Sequence, residues 1–152
     1  MSPTKPALDP RTDAGVARST YPEPYRSRVL PREKRGLSAA LGLTSIGINH
    51  TTLLPGKESS MRHWHTHEDE FVYVLEGEVV LRTDAGEQLL SAGMCAGFPA
   101  GVTDGHQFIN RSAAPVVYLE VSNRDSADRV YYPELDLMYV DGKPMRRDGT
   151  PL

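Results

Sequence analysis

His63-Trp64-His65-Thr66-His67-Glu68-Asp69-Glu70 runs directly into Phe71-Val72-Tyr73-Val74-Leu75-Glu76-Gly77. Three histidines alternate, three acids follow, and a run of β-branched and aromatic residues ends in a turn. In a strand, residues i and i+2 share a face, so His63 and His65 point the same way, about 7 Å apart along the chain. Two imidazoles at that separation can converge on one ion, and a carboxylate a few residues on, after the chain reverses, completes a third position. Imidazole plus carboxylate suits Zn, Fe, Mn, Ni or Co rather than Ca or Mg. Parity carries further. If Glu70 points inward, so do Val72 and Val74, while Phe71, Tyr73 and Leu75 take the opposite face. That second face is apolar too, so a partner sheet, from this chain or from a second subunit, is expected to cover it.

Outward from this stretch, short apolar runs recur between turn formers. Thr44–Leu54 reads as a strand ending at Pro55-Gly56. Val79–Leu81 and Gln88–Leu90 flank a hairpin turn at Asp84-Ala85-Gly86. Phe98-Pro99-Ala100-Gly101 is a turn, and His106–Asn110 and Val116–Val121 are strands joined across Ser112–Pro115. Strands every 8–12 residues, separated by turn signals, mean a sandwich or barrel. Val130–Tyr132 and Leu137–Val140 are shorter strand candidates, with one helical turn expected at Asp125–Arg129 and a tight turn at Asp141-Gly142. Pro31–Leu41 is the best helix candidate. The prolines at 3, 6, 10, 22 and 24 make residues 1–28 a partly disordered arm, extended around Tyr21–Val29, with its tyrosines and Val29 able to dock on the barrel or a second subunit. The expected organisation is a single all-β domain over residues 29–140, with residues 141–152 a polar tail.

The 152 residues carry 24% charged residues and a net charge of −3, with no basic run, which argues against a nucleic-acid surface. No stretch approaches the roughly 18 apolar residues of a membrane helix, and no apolar run follows the N-terminus as in a secretory signal. One cysteine, Cys95, allows no internal disulfide and reads as a buried small hydrophobe. A cytoplasmic location follows as the expectation.

The two histidine windows resemble the paired motifs of the cupin family. Gly56 precedes His63-Trp64-His65; four residues then lead to Glu70, and six more to Gly77. Gly93 is followed after five residues by Pro99-Ala100-Gly101, and His106 precedes Asn110 by three. Four residues separate Gly101 from His106 where the family pattern has two. The resemblance covers roughly residues 44–122 and implies a double-stranded β-helix, a jelly-roll-like barrel, with one divalent transition metal (Zn, Mn, Fe or Ni) inside one mouth. The ligands it carries over are His63, His65, Glu70 and His106. A His65/His67 pair with Glu70 keeps the same parity and is the rival set. His50, outside the motifs, reads as an ordinary strand residue.

Three histidines and one carboxylate leave up to two positions open for water or substrate, and an open position separates a catalytic site from a structural one. Such a metal polarises a carbonyl or stabilises an enediolate, and iron can bind O₂ instead. Within the cupins the phrasing around Glu70 and His106 resembles small bacterial members described as sugar-phosphate isomerases. That implies a general base, for which His67, Glu78, Asp104 and Glu120 are the candidates, and a cation for phosphate, for which Arg62, Arg82, Arg111 and Lys57 are available. The alternatives are an iron-dependent dioxygenase of a small organic acid or thiol, and a non-enzymatic sensory cupin binding a small ligand. The apolar face of the 71–75 strand and the two chain extensions predict a homodimer.

Overall fold

The computed structural model describes residues 6–12 and 15–152; residues 1–5 and 13–14 of the proline-rich arm, expected to be partly disordered, lie outside them. In chain order the elements are α1 (Tyr25–Val29), β1 (Arg32–Gly36), α2 (Leu37–Leu41), β2 (Ile46–Leu53), β3 (Trp64–His65), β4 (Glu70–Glu76), β5 (Glu78–Thr83), β6 (Gly86–Ser91), β7 (Cys95–Phe98), β8 (Gln107–Ile109), β9 (Val116–Asn123), β10 (Arg129–Tyr131), β11 (Met138–Val140) and β12 (Lys143–Met145). They form a five-stranded sheet in the order β1-β2-β9-β4-β7, a three-stranded sheet β6-β5-β8, and a four-stranded sheet β12-β11-β10-β3. All the pairings are antiparallel.

The barrel core follows from alternation. Val72 and Val74 are 4% and 0% exposed, whereas Phe71, Tyr73 and Leu75 are 42%, 38% and 37% exposed, as the parity of β4 requires. Inward residues of the five-stranded sheet (Leu53, Val72, Val74, Val116, Tyr118) meet Val79, Leu81, Leu90 and Phe108 of the three-stranded sheet in one continuous cluster. A second cluster joins the extensions: Tyr21 and Val29 from the N-terminal arm pack with Met61 and with Tyr132, Leu137 and Tyr139 from the C-terminal segment. The arm therefore docks on its own chain.

Four expectations are corrected. Arg32–Gly36 is a strand rather than the start of a helix, because β1 pairs residue for residue with β2 and its alternate side chains face inward; helix is confined to Leu37–Leu41. Tertiary pairing overrides the helix preference of a Glu-Lys-Arg run. The arm is not extended throughout, since Tyr25–Val29 forms a short helix that begins just after Pro24, a position where a missing N–H costs nothing. Pairing also continues into residues 141–152: Asp141 and Gly142 both have positive φ (51° and 71°), the geometry of a two-residue turn matching strand twist, and they fold β12 back on β11. Cys95 is exposed, because its register opposite Tyr73 puts it on the outer face of β7. No helix among the described residues is long and apolar enough to cross a membrane.

Candidate metal centre

β3 and β4 deliver the first histidine window, and the approach to β8 delivers the second. His63 and His106 form an isolated antiparallel bridge with reciprocal amide–carbonyl bonds of 3.1 and 2.9 Å. The longer turn before His106 is pinned to the first window: the Gly101 amide donates to the His65 carbonyl at 2.8 Å, and the Ala100 amide to Asp69 Oδ1 at 2.7 Å. The two extra residues are thus absorbed without moving His106 away.

All three Nε2 atoms face one carboxylate. Glu70 Oε2 lies 2.7 Å from His106 Nε2 and 3.7 Å from His63 Nε2, and Oε1 lies 3.3 Å from His65 Nε2. His63, Glu70 and His106 each offer a ligand atom within 4.8 Å of the others; His65, Glu68 and Asp128 form a second such group. Glu70 Oε2 is buried with no aligned hydrogen-bond donor. A buried anionic oxygen facing imidazole nitrogens is the donor arrangement that a divalent transition metal satisfies.

The outer ring nitrogens fix the imidazoles. His63 Nδ1 sits 2.8 Å from the Met61 carbonyl, which can only accept, so Nδ1 carries the proton and Nε2 presents its lone pair inward. His65 Nδ1 donates to Asp128 Oδ2 at 2.7 Å, a carboxylate–histidine pairing that orients a ligand and raises its basicity. His106 is held by stacking, its ring 3.6 Å from that of Phe98 and nearly parallel at 6°. The electrostatics follow. Burial would raise the Glu70 pKa, but contacts from His106, His63 and His65 outweigh it and hold the carboxyl well below the usual range. Burial would lower that of His65, but Glu70 and Asp128 outweigh it and push it up to about 9. For His106 burial wins over the Glu70 contact and brings the value down to about 4.

The cluster opens into a cavity of about 760 Å³ between the barrel and both extensions, and borders a smaller one of about 350 Å³. Of the candidate bases, Glu120 lines the larger cavity, bound to Lys34 Nζ at 2.8 Å, and Asp104 lines the smaller. The structure brings neither His67 nor Glu78 to the cluster. His67 is exposed and lines neither cavity, its ring bonded to Thr66 Oγ1, because it begins the loop that leaves β3. Glu78 is exposed at the end of β5 remote from Thr83, which lines the smaller cavity. Arg62, Arg82, Arg111 and Lys57 are also elsewhere, committed to Asp84, Glu134, Glu87 and the Ser27 carbonyl respectively. Among the described residues, the cations that line the large cavity are Arg18, Arg32, Lys34 and Arg124. Sequence reasoning passed over these and over Asp128, whose partner His65 is 63 residues away and leaves no local signal.

Comparison with known proteins agrees with this architecture. The Cupin_2 family, described as a cupin domain, matches residues 49–122. A solved structure from Silicibacter pomeroyi, described as a sugar phosphate isomerase from a cupin superfamily, is 39% identical and superposes with a TM-score of 0.89 over 97% of this chain and 96% of its own. A structure from Acidithiobacillus ferrooxidans is 30% identical over 80% of each chain, with a TM-score of 0.70. Among curated proteins, the tetracenomycin polyketide synthase protein TcmJ of Streptomyces glaucescens is 28% identical, covering 78% of each chain.

Proposed function

The chain belongs to the cupin superfamily, and from that premise we propose that it is a metal-dependent isomerase of a small phosphorylated sugar. The observation that carries this reading is the convergence of three imidazoles on the Glu70 carboxylate at the wall of a large cavity. The name borne by the Silicibacter pomeroyi relative, similar along nearly the whole chain, supports the substrate class. His63, His65, Glu70 and His106 would hold one divalent ion, Zn, Mn, Fe or Ni. When bound, it supplies Lewis-acid polarisation of a substrate carbonyl.

The chain's own residues do the rest. Glu120 lies on β9 diagonally across from Glu70, with Val72 as its register partner, which puts the two residues' backbones about 7–8 Å apart on one face of the sheet. From there Glu120 takes the proton from the carbon beside the carbonyl and returns it to the former carbonyl carbon, while the hydroxyl proton moves to the other oxygen. Atoms balance without any redox partner. Lys34 holds Glu120 in place. The aromatic cluster of Tyr21, Tyr132 and Tyr139 walls one side of the cavity.

Metal analysis of protein purified without chelator tests the ligand set. One equivalent is expected in the wild type and none in His63→Ala or His106→Ala; stoichiometry that survives both changes refutes it. Aldose–ketose interconversion that is indifferent to oxygen and is lost in Glu120→Gln supports the isomerase. Iron content with substrate-dependent O₂ uptake turns the reading to a dioxygenase. We also propose a homodimer through the outer face that bears Phe71, Tyr73 and Leu75, exposed in the single chain. A light-scattering mass of one chain at micromolar concentration rejects it.

A further inference from the structure

We propose that Arg124, Ser122 and Asn49 form the subsite that takes the phosphate monoester of the substrate, and that Gly47 exists in this chain to seat the Arg124 guanidinium there. The proposal deepens the isomerase reading and rests on it for the sugar, though not for the anion.

On β2, Asn49 and Gly47 share the inward face with Thr51 and Leu53, which are fully buried. Gly47 is paired with Ser122 of β9, and Ser122 with Glu70 of β4. Three adjacent strands thus place Gly47, Ser122 and Glu70 in one row. Two interstrand spacings separate the ends of that row, roughly 10 Å. A side chain at position 47 would project into the cavity. There is none, and the space is taken by the end of Arg124: a Cβ built on Gly47 would stand 2.7 Å from Arg124 Cζ and Nη2, and 3.0 Å from Ser122 Oγ. The guanidinium therefore lies over bare backbone on the inner face of the sheet, beside a hydroxyl.

Three polar side chains face the same cavity. The Arg124 guanidinium, Ser122 Oγ and the Asn49 carboxamide all line the large cavity. None of the three has a side-chain hydrogen bond or ion pair to any of the described residues, whereas Arg32 is bonded to the Ser59 carbonyl and Arg62 to Asp84. The carboxylates nearest in the chain are already engaged. Asp125 Oδ1 accepts the Ala127 amide at 2.8 Å, Glu68 Oε1 accepts the Asp125 amide at 3.1 Å, and Asp128 is held by His65 and the His67 amide. Lys34 is neutralised by Glu120.

A planar guanidinium with free donors, a hydroxyl and a carboxamide NH₂ is the donor set that a phosphate monoester fills, with arginine giving two parallel bonds. Its distance from Glu70 is of the order of a phosphorylated monosaccharide's length. One end of such a molecule reaches the imidazole cluster while the other rests on Arg124, and Glu120, between them in the sheet, faces the carbons in the middle.

Calorimetry on the metal-loaded full chain tests this with ribitol phosphate and ribitol, which lack a carbonyl and so do not depend on turnover. The wild type should bind the phosphorylated polyol at least about tenfold more tightly than the free one. Arg124→Gln should bring that ratio close to one, and Gly47→Ala should do the same by displacing the guanidinium, with metal content unchanged in both. Arg124→Lys should recover only part of the ratio, since it restores the charge without the fork. Arg111→Gln, which removes a cation paired with Glu87 outside the cavity, should leave the ratio as it was. A wild type with no preference for the phosphate, or an Arg124→Gln protein that keeps it, overturns the proposal. If the preference is present and lost as described while no sugar phosphate is isomerised, the subsite stands and only the reaction is wrong.

Discussion

The barrel core and the cluster between the extensions are held together by different physics. In the barrel, Leu53, Val74, Val79 and Val116 are essentially unexposed aliphatic side chains contributed by inward-facing positions of β2, β4, β5 and β9. They need only volume and apolar area. In the second cluster, Tyr21, Tyr132 and Tyr139 pack edge to face or tilted at 5.8–5.9 Å between ring centres, and they carry hydroxyls that must be satisfied. Tyr21 and Tyr132 share a hydroxyl–hydroxyl bond of 3.0 Å, and the Met61 amide donates to Tyr21 at 3.3 Å. The barrel supplies the proposed ligands, while the extensions supply the carboxylate that orients His65 and part of the cavity wall. Asp128 belongs to the C-terminal segment, and Tyr21 to the arm.

Removing Leu53 should have the largest effect of the substitutions that separate these regions. Leu53→Ala leaves a cavity in a fully buried site and should cost about 2–5 kcal/mol in urea unfolding, with metal stoichiometry unchanged in the folded protein. Asp128→Asn should do the reverse. It keeps the shape but removes the charge behind His65, so metal affinity measured by dialysis should fall about 10- to 100-fold, while the urea midpoint of the metal-free protein at about pH 10, where His65 is largely uncharged, moves little. A stability loss as large as that of Leu53→Ala would erase the distinction between the two regions.

The same pair gives a pH signature in the metal-free protein. The pKa of His65 is raised from the ordinary 6.5 to about 9, so its contribution to stability is complete below about 6.5 and is lost as pH rises through 9. The thermal midpoint of metal-free wild type should therefore fall between pH 7 and pH 10, and Asp128→Asn should flatten that fall. Tyr21→Phe should be the mildest change. It deletes one hydroxyl from a cluster that keeps its ring packing, and about 1 kcal/mol is expected.

The sequence made the barrel legible because period-two alternation acts over a few residues. Parity at Glu70 was enough to assign Val72 and Val74 to the core and Phe71, Tyr73 and Leu75 to the outside. The two histidine windows were legible for the same reason, since His63 and His65 needed only strand geometry to share a face. Long-range partners were not. Arg32–Gly36 has the composition of a helix and becomes a strand only because β2 is there to pair with it. Asp128, Arg124 and Gly47 carry no local pattern. Their meaning arises where β2, β9 and the C-terminal segment meet, tens of residues apart in the chain. Arg62, Arg82 and Arg111 looked equally available as cations, and only the folded chain shows that acids already hold them.

Asp128 has one further consequence, for the order of events in the cell. It takes the His65 ring, the His67 amide at 2.8 Å and the Glu68 amide at 3.2 Å, while the neighbouring Arg129 exchanges bonds with Thr66. The loop that carries three histidines is therefore closed by a residue that leaves the ribosome long after them. Chains are made from the N-terminus, and their segments begin to organise as they emerge. All four proposed ligands are synthesised by residue 106, yet His65 acquires its fixed orientation only when residue 128 arrives. An ion captured by the nascent chain meets a loose set of side chains, and the finished site belongs to the completed polypeptide.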